Sequence, residues 1–126
     1  MTFSRRTAVD QVRQPFFCNA AAQAAALEAL NHADEVTRRI ERNLAERVSL
    51  QESLRELDLE VAESQANFVW LDLGEERSEP DILRGLAERG ILVRAGGALG
   101  REGSLRVTVG TPTENERFIQ ALAALL

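Results

Sequence analysis

No lysine occurs in this 126-residue chain; all 15 basic side chains are arginine. Chemistry that needs a lysine amine is therefore closed to these residues, including a Schiff base with an aldehyde cofactor or a carbonyl substrate. One histidine and one cysteine make a protein metal site improbable, and Cys18 by itself cannot close an internal disulfide. No apolar run approaches the length of a membrane span, and the start "MTFSRRTAVDQ" lacks the apolar core of a signal peptide. No basic block or aromatic-interleaved stripe is present. With a net charge of -5 and a pI near 5.0, a nucleic-acid partner is not expected. These absences leave a soluble cytoplasmic protein with neither membrane nor nucleic acid as partner. Its 44% hydrophobic content is enough for the core of one domain.

The residues present divide the chain into a helical first half and a mixed second half, without repeats. The alanine-rich "NAAAQAAALEAL" (residues 19–30) has high helix propensity. A second helix is expected over about residues 34–57, where Val36, Ile40, Leu44 and Val48 recur at fourfold spacing before Leu50, Leu54 and Leu57. Such a stripe belongs in a core or against a partner helix. "LEV" (59–61) and "NFVWLDL" (67–73) read as strands, the latter apolar on both faces and so central. Ser78, Pro80 and Asp81 open a helix that ends at Gly90, and "ILVR" (91–94) follows as a strand. In "SLRVTVGTPTENERFIQALAALL", Leu105, Val107 and Val109 alternate as a strand, which sends Arg106 and Thr108 to the other face. Thr111, Pro112 and Glu114 then form a capping box, and Phe118, Ile119, Leu122 and Leu126 make one apolar stripe. The expected fold is α+β, a small, largely antiparallel sheet with helices packed on it.

Few side chains are candidates for chemistry. "GGALG" lacks the spacing of a phosphate loop and runs into a strand, so it reads as an ordinary connection. His32 reads as a solvated linker residue, Cys18 as a buried or idle thiol, and Asp72, Glu75 and Glu76 as a solvated edge. Asn67, opening a central strand, could close a turn through its amide. Arg94 and Arg106 end and begin consecutive strands, so antiparallel pairing would bring two guanidinium groups to one end of the sheet. Together they could clamp a carboxylate or phosphate. Ion pairing with local carboxylates such as Glu102 or Glu114 is an equally good account at this level.

Four blocks, "VRQPFFCNAAAQAAALEAL", "SQANFVWLDL", "ERGILVR" and "LRVTVGTPTENERFIQAL", in this order and spacing, resemble the C-terminal small domain of histidinol-phosphate aminotransferase, one of the class I/II pyridoxal-phosphate-dependent aminotransferases. The resemblance implies a domain over residues 13–126 preceded by a twelve-residue extension of uncertain origin. It also implies a dimeric enzyme, in which a separate large domain holds the pyridoxal phosphate. Arg106 matches the arginine that binds the substrate's acidic group, Arg94 the one that helps bind the substrate phosphate, and Asn67 an asparagine near the domain junction. The "VRQPF" segment with Arg13 resembles a piece near the dimer interface. The resembled enzyme transfers an amino group between histidinol phosphate, a phosphorylated amino alcohol, and 2-oxoglutarate in histidine biosynthesis. This chain lacks that family's Schiff-base lysine, so the expectation is a substrate-recognition domain that does not transaminate alone. A stand-alone anion- or metabolite-binding module and a dimerisation module are the other readings.

Overall fold

The computed structural model describes residues 18–126; the twelve-residue extension and Arg13 lie outside them. Contacts divide the chain into two units with their boundary between Thr37 and Arg38. In the first, helix α1 (Ala20–Ala29) starts at Asn19, whose side-chain Oδ1 accepts from the Ala22 N–H at 2.8 Å. No residue of α1 is buried; alanine propensity and the Asn19 cap favour the helix. Helix α2 (Ala33–Glu56) begins in this unit and continues into the second.

The second unit contains the sheet, formed by β1 (Glu60–Val61), β2 (Phe68–Asp72), β3 (Arg94–Ala95) and β4 (Ser104–Thr108), in the order β1-β2-β4-β3 with every neighbour antiparallel. Helices α3 (Glu79–Glu88) and α4 (Pro112–Ala123) complete it. The α+β architecture is as the patterning indicates, and β2 is an interior strand. The period of two decides what faces what. Val69 and Leu71 pair with Val107 and Leu105, and all four are buried. They form one core with Leu50 and Leu54 of α2, Ile82 and Leu86 of α3, and Phe118 and Leu122 of α4. The helices thus cover one face of the sheet. Phe68, Trp70 and Arg106, on the opposite parity, are half-buried.

Two elements depart from expectation. Residues 91–93 are not in the sheet; only Arg94 and Ala95 pair. The end of α3 accounts for this, because the Ile91 N–H bonds to the Leu86 carbonyl at 2.9 Å and closes the helix after Gly90, whose φ is 72°. Ile91 and Val93 still pack against the core as side chains. The stripe on α2 is also split. Leu50 and Leu54 are buried, whereas Val36, Ile40, Leu44 and Val48 are 45%, 62%, 50% and 46% exposed. Sequence periodicity identifies the stripe but not where along the helix its partner ends.

Capping differs between the last two helices. Thr111 accepts from the Glu114 N–H while Glu114 Oε2 accepts from the Thr111 N–H at 2.7 Å, the capping box that the spacing indicates. Ser78 occupies the N-cap of α3 without a side-chain bond to the backbone. Its hydroxyl instead helps to hold the Asp81 carboxyl below the ordinary carboxylate range, with Arg84 contributing.

Candidate functional site

The register places Trp70, Arg106 and Arg94 in one row across three strands, since β4 pairs Trp70 with Arg106 on one side and Arg94 with Arg106 on the other. The two arginines are therefore directly opposite, closer than a shared sheet end requires. Phe68, paired with Thr108, is the diagonal neighbour of Arg106, whose guanidinium carbon sits 4.5 Å from the Phe68 ring centroid. That cation–π contact holds Arg106 without consuming its N–H donors. Arg106 is half-buried and Arg94 exposed.

Two like charges directly opposite on a sheet are destabilising by themselves. Among the described residues, neither arginine has a carboxylate partner. Glu114 is engaged in its capping box, and Glu102 forms no ion pair with either arginine among the described residues; Asp72 bonds to Arg101 at 2.9 Å and to the Gly74 N–H at 2.9 Å. The ion-pairing account of Arg94 and Arg106 thus has no contact behind it. What remains is a pair of cations facing one side with their hydrogen-bond forks open.

Asn67 does not join them. It precedes β2, its side chain is exposed, and its parity is that of Val69, not of Trp70. Its backbone matters more, because the Asn67 carbonyl accepts from the Val109 N–H at 2.9 Å and extends the β2–β4 pairing beyond Thr108. Arg47 of α2 donates to the Ala66 carbonyl at 3.0 Å and Gln51 to the Ala62 carbonyl at 3.1 Å, so α2 fixes the turn that leads into β2. Just beyond the Asn67–Val109 bond, at the same end of β4, the buried Asn115 accepts from the Gly110 N–H at 2.9 Å and donates to Glu46 of α2 at 2.9 Å. A cleft of about 420 Å³ lies between residues 91–93, the end of β4 and the first turns of α4, and Arg94 and Arg106 do not line it.

Other expectations resolve individually. Cys18 is exposed, so the buried-thiol option is wrong; it directly precedes Asn19, the N-cap of α1. His32 is solvated as expected, yet it has a partner in Glu28, 3.0 Å from its Nε2 and one helical turn back. Asp72 is more than a solvated edge. The Gly74 N–H, first, and Arg101, second, hold its carboxyl below the ordinary carboxylate range. Because its folded pKa is depressed, its contribution to stability is present above about pH 4, the ordinary aspartate value, and lost as pH falls through the lower folded value. A carbon-13 titration of Asp72 should give a midpoint below that of a free aspartate, and Arg101→Ala should raise it part of the way. An unshifted midpoint would show that the turn does not hold the carboxylate. Among the described residues, no group of acidic, histidine or cysteine side chains could hold a metal ion, and no helix is long and apolar enough to cross a membrane.

Phe68 and Trp70 were not legible as parts of this surface. Both look like core residues of an interior strand until the register shows which strand neighbour each has.

Residues 5–122 match the family described as aminotransferase class I and II. The chain belongs to that family. Among its relatives, a histidinol-phosphate aminotransferase of a Geobacillus species is 39% identical over 118 residues, covering 94% of this chain and 32% of the relative. An aromatic amino acid aminotransferase of Mycobacteroides abscessus is 40% identical over 114 residues, covering 90% and 31%. The histidinol-phosphate aminotransferase of Sinorhizobium meliloti, solved with pyridoxal-5'-phosphate, superposes with a TM-score of 0.76 at 23% identity, over 94% of this chain and 33% of that one, and so supports the fold. This aminotransferase sequence therefore spans about a third of the length of the curated relatives it matches.

Proposed function

We propose that this chain is the substrate-recognition part of an aminotransferase of the histidinol-phosphate type, with Arg106 and Arg94 clamping the anionic group of a phosphorylated amino alcohol or amino acid. The observation that carries the reading is the direct pairing of two arginines that lack a carboxylate partner among the described residues. A guanidinium keeps its charge at any physiological pH and offers a planar fork, so two of them facing one side suit phosphate or carboxylate oxygens. Removing the anion leaves their mutual repulsion uncompensated, which is the economy of a binding site and not of a structural ion pair.

The family uses pyridoxal phosphate, and the residues of this chain do not fit its covalent attachment. Among 126 residues there is no lysine amine to condense with the aldehyde. In this reading the cofactor belongs to a large domain, and these residues bind and orient substrate in a cytoplasmic enzyme. The pure chain mixed with pyridoxal phosphate should show no lysine-linked Schiff-base absorbance and no transfer between histidinol phosphate and 2-oxoglutarate. Fusion to a matching large domain should supply both. Turnover by the pure chain would overturn the proposal.

The exposed half of the α2 stripe supports assembly, with a second copy or with a separate large domain. Ile40, Leu44 and Val48 lie on successive turns, and each is about half exposed or more. Sedimentation of the full chain at high micromolar concentration tests the first option: self-association supports it, and a compact monomer throughout removes it.

A further inference from the structure

The strand that carries Arg94 is too short to hold itself in register. It pairs through two residues only, Arg94 with Arg106 and Ala95 with Leu105. Its place depends on the loop that returns the chain from Ala95 to Ser104, and that loop is closed around a buried acid. Glu79, in the first turn of α3, is 9% exposed. One of its oxygens, Oε1, accepts from the Gly97 N–H at 3.1 Å, and the other, Oε2, accepts from the Gly103 N–H at 2.6 Å. A single carboxylate thus ties the beginning of the loop to its end. No arginine pairs with it among the described residues, so the two backbone donors compensate it for lost water.

The loop is built to reach that acid. Gly103 has φ 76°, a conformation that favours glycine. Gly96 is buried, and a Cβ there would fall within 2.6 Å of Ser104 Oγ and closer still to the carbonyls of Arg101 and Ser104. The Gly96 N–H donates to the Ser104 carbonyl at 2.8 Å, which continues the β3–β4 pairing by one more bond. On the far side, the Leu73 N–H donates to the Gly103 carbonyl at 2.8 Å. The loop is therefore held from the end of β2 and from α3 at once, and beside the Gly96–Ser104 backbone bond the Glu79 carboxylate adds a side-chain link near both of its ends.

We infer that Glu79 is a positioning residue of the anion clamp: by fixing Gly97 and Gly103 it keeps β3 closed on β4, and so keeps Arg94 opposite Arg106. This rests on the clamp reading above. It touches no substrate in that reading; it sets the separation of the two groups that do. An acid at the first turn of a helix reads in sequence as a complement to the helix dipole, and its partners 18 and 24 residues away give no local signal.

The test uses the full chain, uniformly labelled with nitrogen-15 and titrated with inorganic phosphate while the Arg94 and Arg106 side-chain signals are followed. Wild type, Arg106→Ala, Glu79→Ala and Glu79→Gln are compared, each with a thermal melt and with amide exchange. Glu79→Ala should weaken phosphate binding about tenfold in molecules that remain folded, as displaced clamp geometry requires. Its Gly96, Gly97 and Gly103 amides should exchange faster, while those of Leu71 and Val107 keep their protection. Glutamine keeps one acceptor of the two, so Glu79→Gln should fall between wild type and alanine, and it serves alone if the alanine variant does not fold. If Arg106→Ala loses phosphate while both Glu79 variants bind like wild type, the positioning role is overturned and the clamp stands. Unchanged exchange at Gly96 in a Glu79 variant overturns it equally. If wild type does not bind phosphate, the clamp reading falls, and this inference falls with it.

Discussion

Replacing Arg106 with alanine should leave the fold nearly unchanged and remove most of the anion binding. Two small folding effects oppose each other. The substitution gives up a cation–π contact with Phe68 worth about 0.5 to 1 kcal/mol, and it relieves the repulsion between Arg106 and Arg94 directly across the ladder. The net change in stability should stay within about half a kcal/mol. In an enzyme rebuilt by fusion to a matching large domain, loss of a charge-assisted fork should instead cost roughly 2 to 5 kcal/mol in substrate binding or transition-state stabilisation. That is roughly thirtyfold to several thousandfold in kcat/KM. Thermal unfolding of the isolated chain and kinetics of the fusion separate the two quantities. A variant that unfolds, while activity per folded molecule is preserved, would make Arg106 a structural residue and end the clamp assignment.

Leu54→Ala and Leu44→Ala should behave very differently, although both leucines lie on the apolar stripe of one helix. Leu54 is fully buried beneath the sheet, and truncation there removes buried methyl groups and leaves a cavity, at about 2 to 5 kcal/mol. Against a total of about 5 to 15 kcal/mol for an ordinary domain this is severe, and Tm should fall on the order of 10 °C. Leu44 is 50% exposed, and its loss in the isolated chain should cost about half a kcal/mol or less. Chemical denaturation of the two variants side by side is decisive. Equal losses would mean that the core extends along the whole of α2.

That contrast also marks how far sequence reasoning reaches. The helix from Ala33 was legible because its apolar spacing is regular, but spacing carries no information on which turns meet the sheet. The alternation of Leu105, Val107 and Val109 located Arg106 on the outer face, and antiparallel return through a single loop put Arg94 near it. The one-to-one register of the two, and Phe68 beneath Arg106, depend on strand pairing, which local pattern does not fix. Residues 91–93 look like a strand because Ile91, Leu92 and Val93 are aliphatic and mostly β-branched, yet the helix end captures the Ile91 N–H first. Glu79, Asn115 and Arg47 were illegible for a common reason. Each bonds to backbone or side chains brought near only by the tertiary fold.

The outermost strands of this sheet are its two shortest. Glu60–Val61 and Arg94–Ala95 each present a two-residue margin, and each carries a full charge. A long, flat, apolar margin would offer its unpaired N–H and C=O groups as a template on which further chains could stack. Here an incoming strand would find too few donors and acceptors to align on, and at one margin it would meet the same guanidinium proposed to attract small anions. The brevity of β3 that leaves Arg94 dependent on its loop therefore also guards the protein against polymerising through its sheet.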